Sequence, residues 1–147
     1  MHNSMIKIAF TFAMLSSLSM FTAAQVPKEI DQILKQITLP LQKTEKESEI
    51  VTNYYYQDQS KNKLVIGIAS DFIDVSWTFK TLPDEKSEVV TQAKTLTQSL
   101  LGEEWNSLYS AITEGGTVDY LSQDNGIVIT DAGCTQTMCG YQVKLRE

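Results

Sequence analysis

Two cysteines, a scatter of carboxylates and a run of three tyrosines are the side chains through which this chain could do chemistry or recognition. Cys134 and Cys139 bracket Thr135, Gln136, Thr137 and Met138. That spacing differs from the two-residue gap of thioredoxin-like redox sites, and two thiolates alone cannot complete a zinc centre. In an oxidising compartment the pair is expected to close a disulfide, which for so small a loop contributes on the order of 2 kcal/mol in the chain-entropy model. Its expected role is to pre-order the loop it spans. No metal or other cofactor is expected.

The acids come in close pairs along the chain: Asp71 with Asp74, Asp84 with Glu85, Glu103 with Glu104, and Asp119 with Asp124 and Asp131. Acid/base catalysis needs particular separations and shifted pKa values, which no spacing here specifies. Polar strand faces and helix N-termini account for most of them. Asp124-Asn125-Gly126 reads as a turn, since the remaining ligands of a calcium loop are missing.

The single histidine is His2. It lies in a segment with the pattern of a secretory signal peptide: Lys7 in a short positive region, an apolar stretch over residues 8–18, and Thr22, Ala23 and Ala24 before an expected cut at Gln25. The apolar stretch is shorter than the roughly 20 residues a membrane span needs, so no stable membrane insertion is expected after cleavage. An exported product starting at Gln25 has no imidazole, which excludes Ser-His-Asp, Cys-His and His-ligated metal chemistry. A periplasmic or secreted location is expected.

Removing residues 1–24 takes away Lys7 and no acid, so 11 basic residues face 18 acidic ones and the net charge becomes −7. A field of that sign repels nucleic acid and anionic lipid at long range, and a basic partner would associate fastest.

The elements that must position these groups are readable from periodicity. Residues 25–147 suffice for one domain, and no repeat or linker divides them. After Pro27, Ile30, Ile33, Leu34, Ile37 and Leu41 fit a short amphipathic helix that Pro40 stops. Residues 42–48 are polar and charged, as expected of a surface connection. Residues 49–57 and 64–69 are rich in β-branched and aromatic side chains around a polar turn, predicting a hairpin. Ile73, Val75, Trp77 and Phe79 alternate with polar residues as a third strand.

A helix is then expected, with Thr81 as a candidate cap and Pro83, Asp84 and Glu85 in or before its first turn. It carries Val89, Val90, Ala93, Leu96, Leu100 and Leu101 at helical spacing and ends at Gly102. Another carries Trp105, Leu108, Tyr109 and Ile112. Strands over residues 117–121 and 127–130 flank an Asn125-Gly126 turn, and Tyr141, Val143 and Leu145 mark a last strand. The expected architecture is α+β, a single two-layer domain of order α-β-β-β-α-α-β-β-β with antiparallel meanders.

Tyr54, Tyr55 and Tyr56 on one strand must split between its two faces, offering at least one ring to a surface that a partner could use. With the loop Thr135, Gln136, Thr137 and Met138, they are the expected contact residues of a non-catalytic binding protein acting on a protein partner, such as an inhibitor, an immunity protein or an assembly chaperone. A small carboxylate-dependent hydrolase and a structural component of an envelope complex are the alternatives.

Overall fold

The computed structural model describes residues 26–80 and 86–144, with side chains from residue 30 onward. The segment assigned to the signal peptide, Thr81 to Glu85 and Leu145 lie outside the described residues. Helix α1 spans Val26–Lys35, followed by strands β1 (Leu41–Lys46), β2 (Thr52–Gln57), β3 (Lys63–Ile68) and β4 (Phe72–Thr78). Helix α2 (Glu88–Leu101) passes through a 3₁₀ turn into α3 (Trp105–Thr113), and β5 (Val118–Ser122), β6 (Val128–Cys134) and β7 (Met138–Lys144) complete the domain. The fold is α+β, as expected.

All seven strands form one sheet in the order β1-β2-β3-β4-β7-β6-β5, every neighbour antiparallel. Two meanders therefore meet where β4 pairs with β7. The helices lie on one face. In β4, Ile73, Val75 and Trp77 are buried against them while Asp74, Ser76 and Thr78 point the other way. Leu64 and Ile66 on β3 and Cys139, Tyr141 and Val143 on β7 continue the buried layer, because each is the registered neighbour of one of those inward β4 residues.

Residues 42–48 correct one expectation. They do not form a surface connection; most of them belong to β1, whose residues are all exposed. A strand with neither face buried has no reason to alternate, so its sequence Leu-Gln-Lys-Thr-Glu-Lys carries no period-two signal. Pairing with β2 alone holds it in the sheet, with a register shift between Leu41 and Lys43.

Helix α2 starts later than Pro83 suggested. Ser87 is its N-cap, accepting a hydrogen bond from the Val90 N–H at 3.3 Å. Ser87 also bonds Asp58 Oδ2 at 3.4 Å and accepts from Asn62 Nδ2 at 3.3 Å, while Asp58 accepts from the Asn62 backbone N–H at 2.9 Å. All three are buried, so the β2–β3 turn is tied to the start of α2 by a satisfied polar cluster. The helix ends at Gly102, as expected, and its buried stripe of Val89, Val90, Ala93, Leu96 and Leu101 matches the periodicity.

One polar chain crosses the core. Tyr141 Oη donates to Thr97 Oγ1 at 2.9 Å, and Thr97 Oγ1 donates to the Ala93 carbonyl at 2.7 Å. Trp77 lies beside it, parallel to Tyr109 with ring centroids 5.9 Å apart and edge-on to Tyr141. The β5–β6 turn uses Gly126 at φ 87°, a left-handed conformation that glycine adopts without steric cost, with Gly126 N–H bonded to the Gln123 carbonyl.

Candidate functional site

Among the described residues the helices lie on one face only, and the other face of the sheet is open. Strand alternation puts a single row of side chains across all seven strands: Glu45, Asn53, Gly67, Asp74, Gln142, Thr130 and Tyr120, each the registered neighbour of the next. Gln142 Nε2 donates to Asp74 Oδ1 at 3.0 Å and Thr130 Oγ1 lies 3.3 Å from Gln142 Oε1. Asn53 Nδ2 donates to Glu47 Oε2 at 2.8 Å. A Cβ on Gly67 would meet Asn53 Oδ1 at 2.8 Å, so the Asn53 amide would have to swing away from its present position. Asn53 and Asp74 thus lean together over the bare backbone of β3.

Negative charge gathers around Asp74 in this row. Asp74 is held above the usual carboxylate range, chiefly by partial loss of solvation among its neighbours, with Asp131 and Glu47 adding repulsion and the Gln142 amide working against the shift. Asp131 sits in a β-bulge at φ 53°, where β6 carries an extra residue relative to β7. Of the acids singled out in the sequence, Asp74 and Asp131 are the pair that tertiary structure couples. Their sequence separation hid this, because the β4–β7–β6 adjacency is set by the return of the chain after two helices.

A second row runs Lys43, Tyr55, Val65, Ser76, Gly140 and Gly133. Lys43 Nζ bonds Glu45 Oε2 at 2.7 Å and sits 4.4 Å from the centre of the Tyr55 ring. That pairing raises the Lys43 pKa and lowers that of Glu45. A shallow groove of about 440 Å³ opens at this end, lined by Gln42, Lys43, Tyr55, Tyr56, Gln57, Lys63 and Val65. The bulge at Gln42 lies on its rim.

The three tyrosines divide as period two requires. Tyr55 faces the open side. Tyr54 and Tyr56 register with Ile66 and Leu64 and turn towards the helices, Tyr56 at 6% exposure and Tyr54 packed at the margin of the core. The hydroxyls of Tyr56, Tyr109 and Tyr141 all have pKa values raised by burial.

Cys134 and Cys139 are joined by a disulfide and are directly opposed across the β6–β7 hairpin. The turn it closes is internally bonded: Thr135 N–H donates to the Met138 carbonyl at 2.7 Å, and Thr135 Oγ1 accepts from Met138 N–H at 3.1 Å. Thr135, Gln136, Thr137 and Met138 are exposed, Met138 by 45%. Met138 registers with Thr78, whose hydroxyl accepts from Lys63 N–H at 2.8 Å, so the loop adjoins the Tyr55 end of the open face. Three strand spacings and a two-residue step along the strand, about 16 Å together, separate Tyr55 from Met138. The fold therefore brings Tyr55 and the Met138 end of the loop to one end of one face, with Tyr54 and Tyr56 on the other face.

Asn53, Gln142, Thr130 and Lys63 were not singled out in the sequence. The only signal for them is their position opposite the apolar phase of each strand. Among the described residues, no group of three or more His, Cys, Asp or Glu side chains is arranged to hold a metal ion, and no helix is long and apolar enough to cross a membrane. No protein-family model matches the chain, and neither the curated proteins nor the solved structures contain a match to it. What the fold defines is a class: a two-layer α+β domain with one uncovered sheet face.

Proposed function

We propose that this chain is a non-catalytic binding protein, exported to the periplasm or the cell exterior, that engages a protein partner with the open face of its sheet. One observation carries the reading: Tyr55 and the disulfide-closed loop ending at Met138, chosen from sequence alone, share one end of that face. A rigid sheet holding an aromatic ring and a pre-ordered loop loses little conformational entropy on binding. The disulfide favours an oxidising compartment. Asp74 with the nearby charges of Glu47 and Asp131 suits a basic patch on the partner, with association slowed as salt rises. An inhibitor, an immunity protein or an assembly chaperone would each work by such occupancy.

The experiment is capture by the tagged chain from the extracytoplasmic fraction, repeated with Tyr55→Ala plus Met138→Ala and with Glu114→Gln on the helix layer as control. A stoichiometric partner lost only with the open-face variant is expected. A partner retained by that variant would place binding elsewhere. The raised Asp74 pKa beside Asp131 is what favours the second reading, a carboxylate-dependent hydrolase, for which Asp74→Asn would abolish turnover while leaving the fold intact.

A further inference from the structure

The two ends of the sheet are built differently. On β1, the charges of Lys43, Glu45 and Lys46 and the bulge at Gln42 obstruct pairing with another strand, which is how natural edge strands are kept from associating. Strand β5 is less defended. Val118–Ser122 contains one charge, Asp119, no proline or glycine, and a single unshifted register with β6. Only Val118, at its start, packs against the core. Helix α3 packs on β6, and β5 projects beyond it, leaving Tyr120 66% and Leu121 37% exposed on opposite faces.

We infer that β5 is a self-association edge: a second copy of the chain pairs with it antiparallel about a two-fold axis at Tyr120, joining two seven-stranded sheets into one. This is the only register that pairs all five residues. It sets Tyr120 against the second copy's Tyr120, Val118 against Ser122, and the lone acid Asp119 against Leu121, so no like charges stand directly opposed. An aromatic pair directly across neighbouring strands is favourable. A two-fold contact uses one β5 from each copy, and the charged, bulged β1 at each outer end stops further addition. The product is a closed dimer rather than a fibre. Five paired residues bury little area, so the dimer belongs in the weak class, with dissociation in the micromolar range or above. Each copy carries net negative charge, so added salt should tighten it.

Sedimentation velocity of the chain expressed from its full sequence, from about 1 to about 300 µM, covers that range. A concentration-dependent dimer that tightens with salt is expected. Tyr120→Lys with Leu121→Lys should weaken it at least about tenfold while circular dichroism stays unchanged, as both side chains are exposed. Tyr120→Cys should cross-link to itself on oxidation, since directly opposed strand residues have Cα atoms about 4.5–5.5 Å apart, within disulfide reach. Gln42→Cys on the other edge should not. A monomer over the whole range, a dimer indifferent to the double lysine variant, or equal cross-linking at Gln42→Cys would each overturn the inference. The contact engages the open face only at Tyr120 on its last strand, away from Tyr55 and Met138, so such a result leaves the partner-binding reading standing.

Discussion

Thr97→Val should cost this protein more than the exchange of a hydroxyl for a methyl group suggests. Thr97 is fully buried, and its Oγ1 accepts from the Tyr141 phenol at 2.9 Å while donating to the Ala93 carbonyl at 2.7 Å. Valine removes the acceptor and strands the phenol inside the core, a desolvation penalty of about 1–3 kcal/mol. The added methyl returns up to about 0.8 kcal/mol of apolar burial. The Ala93 carbonyl keeps its place in the α2 ladder. With the full return, the net loss should be about 0.2–2.2 kcal/mol.

Tyr141→Phe removes the donor instead, leaves Thr97 bonded to Ala93, and should cost about 0.5–1.5 kcal/mol. With both changes no polar group is left stranded, so the double variant should be more stable than the sum of the single losses predicts, by about 1 kcal/mol. Urea unfolding followed by tryptophan fluorescence reads this directly, because Trp77 lies 1% exposed against Tyr141. Losses that add within about 0.3–0.5 kcal/mol would refute the coupling.

Ser87→Ala removes the α2 cap together with a member of the buried Asp58–Asn62–Ser87 cluster, and should lower unfolding free energy by about 1–2 kcal/mol; a change under about 0.5 kcal/mol in urea titration would contradict it. The raised pKa of Asp74 means the folded chain binds this proton more tightly than the unfolded chain does. Its contribution to stability is therefore greatest below the unfolded value and falls as pH rises through the folded one, so Asp74→Asn should gain stability relative to wild type over that rise, measured by thermal melts across pH. Replacing Cys134 and Cys139 together by serine should cost about 2 kcal/mol, and intact-mass analysis after alkylation should find no free thiols in the unreduced parent.

How much of this was legible depends on where each element sits. Strand β4 could be read because one of its faces is buried and the other open, which forces Ile73, Val75 and Trp77 to alternate with Asp74, Ser76 and Thr78. Helix α2 announced itself through its buried stripe. Strand β1 could not be read, since nothing is buried on it and its conformation is imposed by β2. The same holds for the site. The cysteine pair was visible because a short loop brings the two thiols together, whereas the bond between Asp74 and Gln142 joins strands 68 residues apart in the chain.

The sequence by itself determined the fold class, the phase of each buried strand, and the division of Tyr54, Tyr55 and Tyr56 between two faces, because each follows from local spacing. Only the tertiary structure decided that Tyr55 rather than its neighbours faces outward, that the Met138 loop lies at the same end, that Asp74 and Asp131 interact, and that β5 is the last strand of the sheet. Those outcomes depend on which side the helices pack and on β7 returning beside β4. They are contacts between segments distant in sequence, and no local pattern encodes them.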